Sequence, residues 1–364
     1  MKNIYVEIIQ SFLKLGVIAF GGPAAHIALM ETEFVEKKKW VPRETYLDMI
    51  GFTNIIPGPN STEMALLIGY HKAKGLGLLL AGVSFLLPAF VMVLILSAIY
   101  VTFGNIPALE SMLLGISSVI IAVIVLALIR LANKVASSWI TWSILIGSSI
   151  IAYFTSFSEI ILLLIAGMIM ILFQQTRSKV NMLEPVSLWV LFFTMLKIGS
   201  ILYGGGYVLL AYMNTDFIER LGWITSQQLI DAVTIGQLTP GPIFTTATFI
   251  GYLVGDWQGA ILATIGIFLP SFIISFVLYR YVTLLNKNAV LYAALKGINA
   301  ASIGLMTSVS FLLFVNTVIA PLQDLTILGL VPLILFLFSL WVLYYKKLPV
   351  PIVILIGAMV GLVL

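Results

Sequence analysis

The chain has 364 residues, 61% of them hydrophobic and only 9% charged, with mean hydropathy +1.12 and formal charge +4. Soluble domains carry roughly 25% charged residues, so this chain lacks the polar surface to stay in water and reads as an all-α polytopic membrane protein. Cysteine is absent and the only histidines are His26 and His71, which excludes disulfides, thiolate metal sites and a histidine metal cluster.

No Gly-x-x-x-x-Gly-Lys-Ser/Thr phosphate loop occurs, and spanning helices leave no stretch for a soluble catalytic head. That argues against an ATP-driven pump and against an enzyme. No cofactor, metal or nucleic-acid partner is indicated, because the modest positive charge sits in loops and speaks to orientation in a lipid bilayer.

In chain order, the first apolar segment (residues 4–30) carries one break, Lys14-x-Gly16-x-x-x-Phe20-Gly21-Gly22-Pro23, where the helix is expected to open at the glycines before Pro23. Lys2 before an apolar run, with Pro23-Ala24-Ala25 further on, has the outline of a secretory signal. Glu7 and Lys14 interrupt that run, and the pattern recurs later. A polar connection (31–45) leads to a segment broken at Pro57-Gly58-Pro59 (46–70), and apolar runs follow near 76–101, 108–131, 139–155 and 159–175. The order then repeats: a glycine-broken segment (186–213), a polar connection (214–227), a segment broken at Pro240-Gly241-Pro242 (228–252), and runs near 257–280, 289–315, 326–345 and 350–364.

Adding 183 carries Lys14, Gly16, Gly21 and Gly22 onto Lys197, Gly199, Gly204 and Gly205. It also carries Trp40 and Asp48 onto Trp223 and Asp231, and the first Pro-Gly-Pro onto the second. At an offset of 182, Leu87-Pro88 pairs with Leu269-Pro270 and Gly115-Ile116 with Gly297-Ile298. The chain is therefore read as two repeats, 1–180 and 181–364.

Loop charges decide how the repeats face. In the first repeat Lys72 and Lys74, then Arg130 and Lys134, alternate with uncharged loops; in the second, Arg280 and Lys287, then Lys346 and Lys347, fall in the opposite phase. The repeats are expected to be inverted, which requires an odd number of crossings in the first. With Lys37, Lys38, Lys39 and Arg43 placed in the cytoplasm, the Pro-Gly-Pro segment is the one that dips in and returns. The expected fold has about ten transmembrane helices plus two re-entrant Pro-Gly-Pro hairpins, with both termini outside. Lys2 alone argues the other way.

Inverted repeats with Gly/Pro-broken segments at matching positions point to a transporter site near the midplane. Lys14 lies about ten residues, or about 15 Å, into the first segment, where a lysine costs about 2.5–3.5 kcal/mol on insertion scales. With Lys197 at the same depth, an anion site is expected; the alternative is snorkelling or a structural ion pair, for instance with Glu7. Residues after each Pro-Gly-Pro should start a half-helix whose N–H groups favour anions. This makes Gly58, Asn60 and Gly241 candidate substrate contacts beside Gly21, Gly22, Gly204 and Gly205; the alternative is that Pro-Gly-Pro merely turns the chain. Asn60 and Glu63 have capping-box spacing, and Glu63 and His26 are the candidates for proton coupling, His26 otherwise being a packed or solvated side chain. Trp40 and Trp223 read as interface anchors.

Phe20-Gly21-Gly22-Pro23 and Pro57-Gly58-Pro59, repeated as Tyr203-Gly204-Gly205-Gly206 and Pro240-Gly241-Pro242 with Trp40 between the first two breaks, resemble the chromate ion transporter family in its long-chain, two-domain form. The resemblance implies a prokaryotic plasma-membrane protein that exports chromate and confers chromate resistance. Gly206 stands where the first repeat has Pro23, so the second break is expected to be softer. Sulfate or another anion as substrate, and a passive anion channel, are the rival readings. A homodimer is compatible with the sequence, and nothing in it fixes the oligomeric state.

Overall fold

The computed structural model describes residues 3–19, 23–53, 56–103, 107–135, 139–154, 162, 165–166, 187–202, 208–279, 289–324, 327–346, 348 and 350–363, and among them all regular structure is helical. Helix α1 (Ile4–Ile18) starts where the Asn3 side chain accepts the Tyr5 N–H at 3.0 Å, which satisfies one of the orphan donors of a helix start. After it come α2 (Pro23–Met30), a π-helical turn (Glu31–Lys37), α3 (Arg43–Thr53), α4 (Asn60–Phe103), α5 (Pro107–Val135) and α6 (Trp139–Phe154). The second half contains α7 (Leu188–Ile201), α8 (Leu209–Met213) with its π-helical turn (Asn214–Arg220), α9 (Ser226–Leu238), a 3-10 turn (Ile243–Thr245) and α10 (Thr246–Leu278). It closes with α11 (Ala289–Phe314), α12 (Ile327–Trp341) and α13 (Val350–Val363).

Residues that repeat in sequence repeat in backbone geometry. The Trp40 N–H donates to Phe34 O at 2.7 Å and the Trp223 N–H to Phe217 O at 2.9 Å. Just before them, Lys39 (φ 51°) and Gly222 (φ 64°) share the left-handed conformation, which is easy for glycine and uncommon for lysine.

Helix α4 reverses at Ala73 (φ −147°, ψ 33°) and Lys74 (φ 56°, ψ −146°), and α10 reverses at Gly255 (φ −154°, ψ 36°) and Asp256 (φ 51°, ψ −149°). Each is thus a short helix folded back on a longer one. A Cβ on Gly69 would strike the carbonyl of Gly77, and one on Gly251 the carbonyl of Gly259. Small residues let the two arms touch backbone to backbone, which is how helices pack where lipid removes the hydrophobic drive.

Among the described residues five helical stretches are long and apolar enough to cross a membrane: Asn60–Phe103, Ser111–Arg130, Ile243–Leu278, Ile303–Leu322 and Gly329–Lys346. Their outward faces carry exposed Leu79, Ile95, Ile265, Phe276, Ile334 and Leu337, side chains suited to lipid rather than water.

The chain divides into two compact units. One comprises Met1–Ile95, Pro185–Leu209 and Thr239–Leu295, the other Leu96–Glu184, Leu210–Leu238 and Lys296–Leu364. Each unit draws on both repeats. In the first unit, Ile8, Phe12, Phe34, Tyr46, Met49, Phe52 and Phe85 form a buried core. Gly16 of α1 lies against the Phe85 carbonyl and the Pro88 ring, and Gly199 of α7 against the Ile267 carbonyl, so both broken helices dock by backbone contact. In the second unit, Gly115 of α5 abuts Gly357 and Gly361 of α13. There Asp231 accepts hydrogen bonds from Tyr100 (2.7 Å) and Gln227 (3.0 Å).

Trp40 departs from the expected interfacial anchor. It is buried, its ring stacks on Phe34 at 4.8 Å, and Lys38 and Lys72 place their ammoniums 5.1 and 4.8 Å from its centroid. A ring held by a stacked aromatic and two cations has no face left for lipid headgroups. Trp223 is half-buried beside Phe217.

Candidate functional site

The first unit brings together the features the sequence singled out. Helix α1 stops at Ala19 and α7 at Leu202, 183 residues on. The Gly58 N–H donates to the carbonyl of Leu202 at 2.9 Å, and the Gly241 N–H donates to the carbonyl of Ala19 at 2.9 Å. The tip of each repeat's Pro-Gly-Pro loop is thereby bonded to the end of the other repeat's broken helix. Both glycines have positive φ, 134° at Gly58 and 104° at Gly241, which side-chain-bearing residues rarely adopt. Helix C-termini, carrying partial negative charge, and helix N-termini, carrying partial positive charge, meet there.

These bonds change the role expected of the two glycines. Their N–H groups are engaged by carbonyls, so they position the helix starts rather than face a ligand. The capping box is also displaced. The Glu63 N–H bonds to Pro59 O at 3.1 Å, so Pro59 holds the cap position and Asn60 is the first helical residue of α4.

Glu63 is fully buried. Its Oε1 lies 3.5 Å from the Ser271 hydroxyl of α10, and its Oε2 has no hydrogen-bond partner among the described residues. The carboxyl folds back against Gly58, where an added Cβ would collide with both Glu63 Oε1 and Ser271 Oγ. The hydroxyls of Ser61 and Thr62 are likewise buried without partners among the described residues. His26 is buried on α2, edge-on to Phe85 with ring centroids 5.8 Å apart.

The lysines stand differently. The buried side of α1 is the stripe Ile8, Ser11, Phe12, Leu15 and Gly16, and Lys14 lies off it, with a side chain 61% exposed and Nζ 3.9 Å from Glu33 Oε2. Glu7, the partner considered from sequence, instead binds Lys38 at 3.0 Å. Lys197 is half-buried on α7. Gly21, Gly22, Gly204 and Gly205 lie outside the described residues.

An all-helical membrane protein with paired helix breaks, and with a carboxyl group, Glu63, buried at one of them, is of the transporter class. The comparisons agree. The chain matches the chromate transporter family over residues 6–171 and 189–362, and it belongs to that family. It is 28% identical to a probable chromate transport protein of Synechococcus elongatus over 386 residues, covering 98% of this chain and 95% of the relative. It is also 28% identical to a chromate transport protein of Cupriavidus metallidurans over 384 residues, covering 98% and 92%. An uncharacterized transporter of Bacillus subtilis, YwrA, aligns over 152 residues at 28% identity, 41% of this chain and 85% of that protein. No solved structure matches.

Proposed function

We propose that this protein is a secondary transporter that exports chromate, or a similar small dianionic oxyanion such as sulfate, across a prokaryotic plasma membrane and so confers chromate resistance. The observation that carries the reading is the reciprocal bonding of Gly58 to Leu202 and of Gly241 to Ala19. It joins the helix ends in two pairs, each across the repeats, and broken-helix ends are where transporters hold ions. In this reading the start of α4 and the 3-10 turn that leads into α10 face the anion, Asn60 is a substrate contact, and Lys14 and Lys197 offset the charge of the dianion. Lys14 is accessible, and its contact with Glu33 is long enough to open. Glu63 and His26 remain the candidates for proton coupling.

The accompanying topology has about ten crossings, two re-entrant hairpins, inverted repeats and both termini outside. Loop charge supports the inversion. Because the chain has no cysteine, single cysteines placed at residues 72 and 346 can be labelled from either side; labelling of both from the same side is expected.

Export of a dianion from a cell negative inside is favoured by about 2 × 2.3 kcal/mol per 100 mV, about three decades of concentration, so no ATPase is required. Radiolabelled chromate flux in vesicles, with and without an imposed potential and with sulfate as competitor, tests the reading. Lys14→Ala and Lys197→Ala should each reduce flux, and undiminished flux in both would remove the lysines from the site. Saturable flux is expected; single-channel currents would replace the transporter with a channel.

A further inference from the structure

The two hairpin tips share a backbone but only the first holds a carboxyl group. In the second, Thr246 stands where the first has Glu63, and its hydroxyl donates to Ile243 O at 2.7 Å. Gly241 meets the methyl of Ala89, the residue that corresponds to Ser271 at the 182-residue offset. At the first tip, Glu63 Oε2 and the hydroxyls of Ser61 and Thr62 are buried with no partner among the described residues. The groups facing the Glu63 carboxyl are Ser271 from α10 and Gly58 from the hairpin itself, and no charged side chain among the described residues acts on it.

This carboxyl lies at the start of α4, within about one helical turn of the first-turn donors. A free oxyanion bound there and an ionised Glu63 would compete for the same positive helix end and repel each other at short range. Protonation removes that conflict and leaves an O–H that can donate to the anion.

We propose that Glu63 is a tethered competitor for the transported anion: ionised, it occupies the α4 helix start; protonated, it yields it, so that each anion binds together with one proton. The proposal rests on the oxyanion reading above and adds its coupling. The linkage is reciprocal, since an anion that favours the protonated acid is itself bound more tightly when the acid is protonated. The second tip, with Thr246 and Ala89, has no group that can do the same. A dianion moved with one proton carries a single net charge, and the drive from the membrane potential is half that of the bare dianion.

Titration calorimetry of the purified full chain with sulfate and with chromate, at a series of pH values from neutral into the alkaline limb and in two buffers of different ionisation heat at each, counts the protons. The wild type should take up about one proton per anion, and its Kd should rise about tenfold per pH unit on the alkaline limb. Glu63→Gln should still bind the anion, with no proton uptake and a Kd independent of pH. Binding by the wild type with no proton uptake and no pH dependence anywhere on the alkaline limb, or equal uptake in Glu63→Gln, overturns this proposal and leaves the oxyanion reading standing. No binding of either anion by the wild type overturns both. The wild-type proton count decides the matter even where the variant does not fold.

Discussion

At Gly58 the chain turns with φ 134° against a carboxyl and a hydroxyl, while at Gly241 it turns with φ 104° against the methyl of Ala89. The hydrogen bonds that fix the two turns have the same length and join equivalent residues. Threonine hydroxyls at the second tip are used locally: Thr245 donates to Pro242 O at 2.8 Å and Thr246 to Ile243 O. At the first tip Ser61, Thr62 and Glu63 keep buried polar atoms without partners among the described residues. A buried unpaired polar group costs about 1–3 kcal/mol, and at the first tip Ser61, Thr62 and Glu63 all carry that cost in the first turn, where the threonines of the second do not. The two tips share a backbone frame, and the ionisable chemistry lies at one of them.

The comparison can be broken most directly at the glycines. Gly58→Ala is expected to be the most damaging change, combining about 1–3 kcal/mol of backbone strain with a collision against Glu63 and Ser271. Thermal unfolding in detergent should show a larger drop than for Gly241→Ala, which adds the same kind of strain but meets only a methyl; the opposite order would mean the polar tip is the looser one. Next in size is a transplant, Ala89→Ser with Thr246→Glu. It should destabilise by about 1–3 kcal/mol and raise proton uptake per anion toward two, as counted by calorimetry. Thr62→Val replaces an unpaired buried hydroxyl by a methyl and should stabilise the ligand-free protein by up to about 1 kcal/mol while weakening anion binding. The smallest effect compares the repeats away from the tips. Lys39→Gly should stabilise by about 1 kcal/mol or less, and Gly222→Lys should destabilise similarly, since a left-handed backbone disfavours side chains by about that amount.

Much of this was legible in the sequence because duplication writes every constraint twice. Glycines at 16 and 199, and Pro-Gly-Pro at 57–59 and 240–242, announced the docking points and the turns. The partner of each turn was not legible, since nothing local in Pro57-Gly58-Pro59 says that its N–H will meet Leu202 rather than Ala19. The burial of Trp40 was hidden because an aromatic preceded by lysines is the usual pattern of a membrane interface, and its stacking on Phe34 is set by the fold. The exposure of Lys14 was available from helical periodicity, because Ile8, Phe12 and Leu15 define a stripe that Lys14 misses. Spacing from Gly21 alone concealed it. The cap at Pro59 instead of Asn60 was lost because a proline followed by asparagine fits both registers.

The reciprocal bonds at Gly58 and Gly241 also carry a consequence for ancestry and assembly. Neither turn finds its acceptor inside its own repeat, so a polypeptide holding a single copy would leave one N–H and one helix-end carbonyl unmet in the middle of the fold. A second copy would supply the complementary pair. Fusion into one chain made that pairing permanent. Within one chain the two tips need not be identical, and here only the first carries a glutamate.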